Sequence, residues 1–262
     1  VRWDKIAEAA QRDDEACATR DTATTGVFEK RYQIGGVVTL DQKVADVFDG
    51  MLTASRSSLI QGNDGTTWIS SDAPKRPVLT ITDQMLMGAV SYRGYKARAD
   101  LANQTTMRFV DPGQSYQETD GPPLIRADLV TEDGGPLPIT VDLPFTPSPS
   151  MAQRIAKADL LDARVERDET GASPQGGASW SGVLNLEALG VAEDDCVEIA
   201  STICPHWNGL YVVDSWSLAL NLTGQSGVGV SLLGYNPANC NDWNAANDDQ
   251  EFVQTNLDDV AA

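Results

Sequence analysis

Four runs of β-forming residues crowd the last third of the chain and leave little choice of architecture. Trp180–Leu186, Cys196–Ile203, Leu210–Leu222 and Val228–Tyr235 are rich in branched and aromatic side chains, with turn residues at Gly190, Asn208-Gly209 and Gly224–Gly227 between them. Strands at such close spacing build a barrel or a sandwich. Shorter β signals precede them. Ser58–Gln61 and Thr66–Ser70 flank Gly62-Asn63-Asp64-Gly65, a hairpin signature because Asn and Gly accept the positive φ of tight turns. Pro77–Thr82 reads as a strand, with Thr82-Asp83 starting a short helical turn, and Phe28–Val38 reads as extended. Met107, Phe109 and Val110 lead into a turn at Asp111-Pro112-Gly113, and Ile139, Val141, Leu143 and Phe145 alternate as on a half-buried strand. Residues 119–138 are rich in Pro, Gly and acidic side chains and predict a long loop broken by a short strand at Leu124–Val130.

Three stretches carry helical periodicity. Asp4–Cys17 places Trp3, Ile6, Ala7, Ala10 and Cys17 near one face. Thr39, with Gln42 at capping-box distance, opens a second helix, on which Val44, Val47, Phe48, Met51 and Leu52 form a stripe expected to be buried. Gly50 inside it costs about 1 kcal/mol against Ala, a cost that makes sense where a strand must come close. Ser150, with Gln153 three residues on, opens a third helix; Met151, Ile155, Ala158 and Asp162 share a face, with Leu160 and Leu161 beside it. The fold class expected is α+β, mainly β, with barrel or sandwich subdomains and two or three packed helices. Residues 1–92 form an α+β subdomain of helix, strand, helix and hairpin. Residues 93–235 form a β-rich barrel domain with a helix at about 150–164. Residues 236–262 are an acidic exit segment, expected to be extended or to be ordered only by partners.

Charge narrows the function. The formal net charge is -19, and every Lys and Arg lies at or before Arg167. Such a surface disfavours nucleic acid and anionic lipid and suits basic protein partners; a plain solvated acidic surface is the competing reading. No apolar run approaches the ~20 residues of a membrane helix. The chain starts at Val1 without a signal segment and reads as an excerpt of a longer polypeptide or a processed chain. Cys17, Cys196, Cys204 and Cys240 contain no C-x-x-C pair, so buried free thiols are the default, with a Cys196–Cys204 disulfide as the alternative.

Chemistry is sparse. His206 is the only histidine, which excludes multi-His metal sites, and no calcium-loop, phosphate-loop or nucleophile-elbow pattern is present. A Cys204–His206 pair lacks an orienting third group, and His206 reads as a packed or surface residue. Asp194-Asp195 and Asp248-Asp249 read as exposed loop charge, and Trp68, Trp180, Trp207 and Trp216 as core or interface aromatics. No catalytic, cofactor-binding or metal-binding residue is assigned, no cofactor is expected, and the chain is not read as an enzyme.

The order of these pieces carries a resemblance. Asp14-Glu15-Ala16-Cys17, Glu29–Val38, the helix Val44–Leu52, the hairpin ending Thr67-Trp68-Ile69 and the strand Pro77–Thr82 are followed by Asn103–Pro112, a variation on NxVxxxYxDP. Leu143-Pro144-Phe145-Thr146 then precedes Ala152-Gln153-Arg154-Ile155-Ala156, and Gly209–Trp216 follows. From about Trp3 to Tyr235 the set resembles the hub region of the tip-attachment protein J family of lambda-like siphophages and related tail-tip, gene-transfer-agent and baseplate hub proteins. The resemblance implies hub-type barrel or sandwich subdomains and a homotrimer at the distal end of a phage tail. It implies contacts with distal-tail and other tail-tip proteins, the tape-measure protein and a fibre or spike, and a membrane met only indirectly at infection. It carries over no catalytic residue. Family members usually continue beyond the point where this sequence ends; for a complete chain, a separate fibre protein would bind the receptor. The reading from another class is a secreted carbohydrate-binding or glycan-cleaving β-domain, motivated by aromatic strands and abundant carboxylates.

Overall fold

The computed structural model describes residues 1–21, 26–62, 65–112, 116–164, 166–167, 174–175, 177–219 and 226–251. Along the chain run α1 (Trp3–Asp13), β1 (Ala16–Cys17), β2 (Glu29–Lys30), α2 (Val44–Ala54), β3 (Ser58–Gln61), β4 (Thr67–Ser70), β5 (Pro77–Thr82) and β6 (Ser91–Arg93). Next come β7 (Gln104–Asp111), β8 (Gln117–Asp120), β9 (Leu124–Ile125), α3 (Ala127–Glu132), β10 (Pro138–Leu143) and α4 (Pro149–Asp162). The chain continues with β11 (Glu166–Arg167), β12 (Pro174–Gln175), β13 (Ser179–Leu184), β14 (Cys196–Ala200), β15 (Gly209–Ala219), β16 (Gly227–Gly234) and α5 (Ala245–Asp248). The fold is α+β and mainly β.

Two sheets organise it. The larger has the order β5-β14-β15-β16-β13-β6, with β5 parallel to β14 and the other neighbours antiparallel. Strands on both sides of residue 92 therefore share one sheet. Its core face buries Ile81, Trp180, Leu184, Ile199, Tyr211 and Leu232, the period-2 apolar set of the expected strands. The smaller sheet has β7 at its centre, between β10 and the antiparallel β8 and β9, and α4 covers it through Met151, Ala152 and Ile155 against Met107, Phe109 and Leu143. No sheet closes into a barrel among the described residues. The larger one ends in two edge strands, β5 and β6, that do not pair with each other, so of the expected barrel or sandwich the barrel is not formed among the described residues.

Several local expectations need correction. The helix expected at Asp4–Cys17 stops at Asp13, because Cys17 joins β1 and pairs with Glu29. Its buried residues are Ala9 and Arg12, whereas Trp3 is 73% exposed. Arg12 is buried because its guanidinium donates to the carbonyls of Asp72 and Cys240 and to the side chains of Glu15 and Asn241. The strand expected at Leu124–Val130 is only β9, followed by α3: β10 runs parallel to β7, and a parallel connection needs a crossover, here one containing a helix. The extended run Phe28–Val38 is strand only at Glu29–Lys30.

Helix caps also shift. Lys43, not Thr39, precedes α2, although the Gln42 side chain does accept a hydrogen bond from the Thr39 N–H at 3.2 Å. Ser148 rather than Ser150 caps α4, accepting from the Met151 N–H, with Pro149 in the first turn. Ser150 and Gln153 serve the end of the chain instead. Gln153 exchanges two hydrogen bonds with the Gln250 backbone, and Asp249 accepts from the Ser150 hydroxyl. Residues 236–251 are thus ordered on α4 by the chain's own groups; residues 252–262 of the expected exit segment lie outside the described residues, as do Gly113, the hairpin tip Asn63-Asp64 and Leu220–Leu222.

Candidate interaction surfaces

The apolar stripe of α2 was expected to be buried, and it is not. Val44 is 84% exposed and Phe48 38%, while Val47, Met51 and Leu52 are half-buried. Only the C-terminal end of the helix, at Ala54, is fully covered. The preceding segment, residues 31–43, crosses the surface without regular structure and exposes Ile34, Val37, Val38 and Leu40. It is nonetheless seated. The Gly35 N–H donates to the Phe145 carbonyl at 2.9 Å, and a Cβ on Gly36 would meet the Phe145 ring at 2.7 Å. Gly50 approaches the same ring from α2, where a Cβ would meet it at 2.9 Å. Two glycines therefore clamp one buried phenylalanine, and this fixes a strap whose apolar side chains face solvent. Clusters of exposed apolar residues of this kind mark contact sites.

A second surface holds a patch without ionisable side chains. The outer face of the larger sheet carries Ser215, Ser231, Ser181 and Ser91 in register across β15, β16, β13 and β6. With Gly182, Val183, Ser217 and Gly229 they line a shallow depression of about 430 Å³ that has no ionisable side chain.

Between the end of α2 and α4 lies a polar junction. Arg56 donates to Asp72, Asp159 and Asp162, and the Tyr32 hydroxyl donates to Asp72 at 2.6 Å. The carboxylates hold Arg56 above its usual range against the opposing effect of burial. Asn239, near the end of the chain, joins the same carboxylates through Asp162. This is an ion-pair cluster joining the end of α2, α4 and the chain end, in which one guanidinium serves three carboxylates, and burial raises the Asp159 carboxyl despite Arg56.

The residues that chemistry would use are placed in structural roles. His206 is exposed and lies edge-on to Tyr92 at 5.5 Å. All four cysteines are free: Cys17 and Cys196 are buried, Cys204 and Cys240 half-buried, so the alternative Cys196–Cys204 bridge is absent. Burial pushes the Cys196 thiol up to about 11 and raises Cys240, which makes both poor nucleophiles. Asp194-Asp195 and Asp248-Asp249 are not exposed loop charge. Asp194 pairs with Lys75 and Asp195 accepts from the Ala192 N–H, while Asp248 pairs with Lys157 and Asp249 is buried. Trp68 and Trp180 are buried and Trp207 and Trp216 pack against the larger core. Among the described residues no group of three His, Cys, Asp or Glu is arranged to hold a metal ion, and no helix is long and apolar enough to cross a membrane.

Asp83, the start of a short helical turn, does more than turn the chain. Its carboxylate accepts from the Ser201 hydroxyl, from the Thr202 N–H and hydroxyl, and from the Ile203 N–H. These donors hold it down at about 2. They also end β14 at Ala200, three residues before the sequence predicts.

Residues 45–171 match a family model described as "Putative phage tail protein". The chain is similar to phage tail proteins. The match spans just under half of the 262 residues and includes most of α2, the junction residues Arg56, Asp72, Asp159 and Asp162, and α4. Among solved structures, a chain of the virion of a native gene transfer agent particle superposes with a TM-score of 0.59 at 14% identity, covering 82% of this chain and 44% of that one. The tail protein from Neisseria meningitidis MC58 gives a TM-score of 0.53 at 10% identity, covering 90% and 68%. The chain therefore spans less than half the length of the gene-transfer-agent protein it matches. At these identities the likeness is one of fold. No curated protein matches the chain by sequence.

Proposed function

We propose that this chain is a structural, non-enzymatic component of a tailed-phage tail tip, a baseplate hub that assembles as a homotrimer. In this reading it links the tail tube to a fibre or spike and takes part in host attachment and genome delivery. The observation that carries the reading is the seated strap of residues 31–43 and the adjoining start of α2, where Val37 and Val44 remain 67% and 84% exposed among the described residues, in a protein similar to phage tail proteins. A chain of net charge -19 repels its own copies. The serine-lined depression on the larger sheet has no ionisable side chain and is a surface that sister copies can share at little electrostatic cost. Distal-tail proteins, other tail-tip proteins and the end of the tape-measure protein are its expected neighbours.

The test is electron microscopy of purified particles carrying a gold-labelled antibody against the chain. Label at the distal end of the tail supports the reading. Label distributed along the tail tube or on the capsid contradicts it, as does turnover of a host polysaccharide by the purified chain.

A further inference from the structure

Between the strap and the smaller sheet lies a groove of about 510 Å³. Its floor is apolar: Val37 from the strap, Val47 from α2, Val110 at the end of β7, and Pro144 and Phe145 after β10. Its rim is acidic. Asp41 and Asp46 stand on one side and Glu118, on β8, on the other, against the single cation Lys43. The walls are preorganised, since Gly36 and Gly50 hold the strap and α2 against opposite parts of the Phe145 ring. Beside the groove Leu40, Val44 and Phe48 extend the apolar surface outward.

An apolar floor with a carboxylate rim selects for a segment that is apolar on one face and basic on its flanks, the arrangement by which an amphipathic helix docks into a groove. A sister copy is a poor occupant: it brings the same net charge of -19, with no Lys or Arg beyond Arg167. We propose that the strap groove receives a basic, apolar-faced segment of a different protein, held by Val37, Val47 and Phe145 below and by Asp41, Asp46 and Glu118 at its edges. The inference rests on the tail-assembly reading for its setting and adds to it the chemistry of one neighbour. The two fail separately, because the label position in particles tests the first and peptide binding tests the second.

The probes are two short helix-forming peptides with identical Leu spacing, one with Lys on its polar face and the other with Glu, followed by fluorescence anisotropy at low salt and at physiological salt. The wild-type chain is expected to bind the Lys peptide and to bind the Glu peptide at least about tenfold more weakly. Val37→Ser with Leu40→Ser, and separately Asp46→Lys with Glu118→Lys, are each expected to weaken the Lys peptide by roughly tenfold or more, with a larger loss for the charge pair at low salt. These positions lie on the surface, and unchanged thermal midpoints verify that the variants fold. Leu59→Ser, an exposed apolar residue on β3, leaves binding unchanged. Equal affinity for the two peptides overturns the proposal. So does wild-type affinity in both variant pairs. Self-association of the wild-type chain that the Val37→Ser, Leu40→Ser variant abolishes also overturns it, by naming a sister copy as the occupant.

Discussion

Two aspartates show how a side chain's surroundings, rather than its type, set its contribution. Asp83, held at about 2 by donors from residues 201–203, lies below its unfolded value near 4. Its contribution to stability is complete above the unfolded value and is lost as pH falls through the folded one. Asp83→Asn is therefore expected to lower the thermal midpoint at neutral pH and to flatten the acid limb of the stability profile between about pH 4 and about pH 2. Asp13 is the opposite case. Burial, and then the neighbouring Asp14 charge, lift it to about 6 despite Arg12, and its Oδ1 has no hydrogen-bond partner. The folded state binds this proton more tightly than the unfolded state, so stability falls as pH rises from about 4 to about 6. Asp13→Asn is expected to raise the thermal midpoint at pH 7 and to leave it nearly unchanged at pH 4, which calorimetry at the two pH values reads directly. Neither role was visible in the sequence. Asp83 meets its donors across more than a hundred residues of chain, and nothing beside Asp13 marks it as the member of Asp13-Asp14 that turns inward.

The elements themselves were more legible. β5 matches its sequence boundaries, β3 and β4 pair as the hairpin read from Gly62–Gly65, and the core strands begin within one residue of their expected starts. Local signals suffice there because β-branched runs and turn residues act over a few positions. They fail where the deciding contact is distant. The helical stripe of α2 is real, but what covers it is a matter of tertiary placement, and period alone says nothing of the partner. Gly50 is a point of close approach, as the sequence suggests, although what approaches is the Phe145 ring after β10 rather than a strand, and it makes a sharp prediction. In an exposed helix Gly→Ala gains about 1 kcal/mol, but here the new methyl meets a Phe145 ring already held by Gly36. Gly50→Ala is expected to lose roughly 1–3 kcal/mol in urea unfolding, and Phe145→Leu in the same chain is expected to return part of that loss. At the other helix, Ser148→Ala removes the cap of α4 and is expected to cost about 1 kcal/mol, with no compensation from Ser150, whose hydroxyl is committed to Asp249.

At the scale of the molecule, the charge asymmetry seen in the sequence acquires a physical use. Cations of the first part reach into the acidic end: Lys75 pairs with Asp194, Lys157 with Asp242 and Asp248, and Arg20 with Glu251. Arg12 and Arg31 hold the Cys240 carbonyl. The chain end is thereby stitched to α1 and α4, and the acidic excess that remains is a surface property. Composition indicated that surface but could not separate the two faces, one uncharged and lined by serines, the other apolar with carboxylates at its rim. If sister copies meet through the serine face, Ser181→Asp places a charge in the middle of the row and separates them, while Val37→Ser on the strap does not. Sedimentation equilibrium of the purified chain at physiological salt is the most direct measurement. The account predicts three times the mass of one chain for the wild type and a single-chain mass for Ser181→Asp. A wild-type chain that sediments as a monomer at every concentration, or a Ser181→Asp variant that stays trimeric, contradicts it.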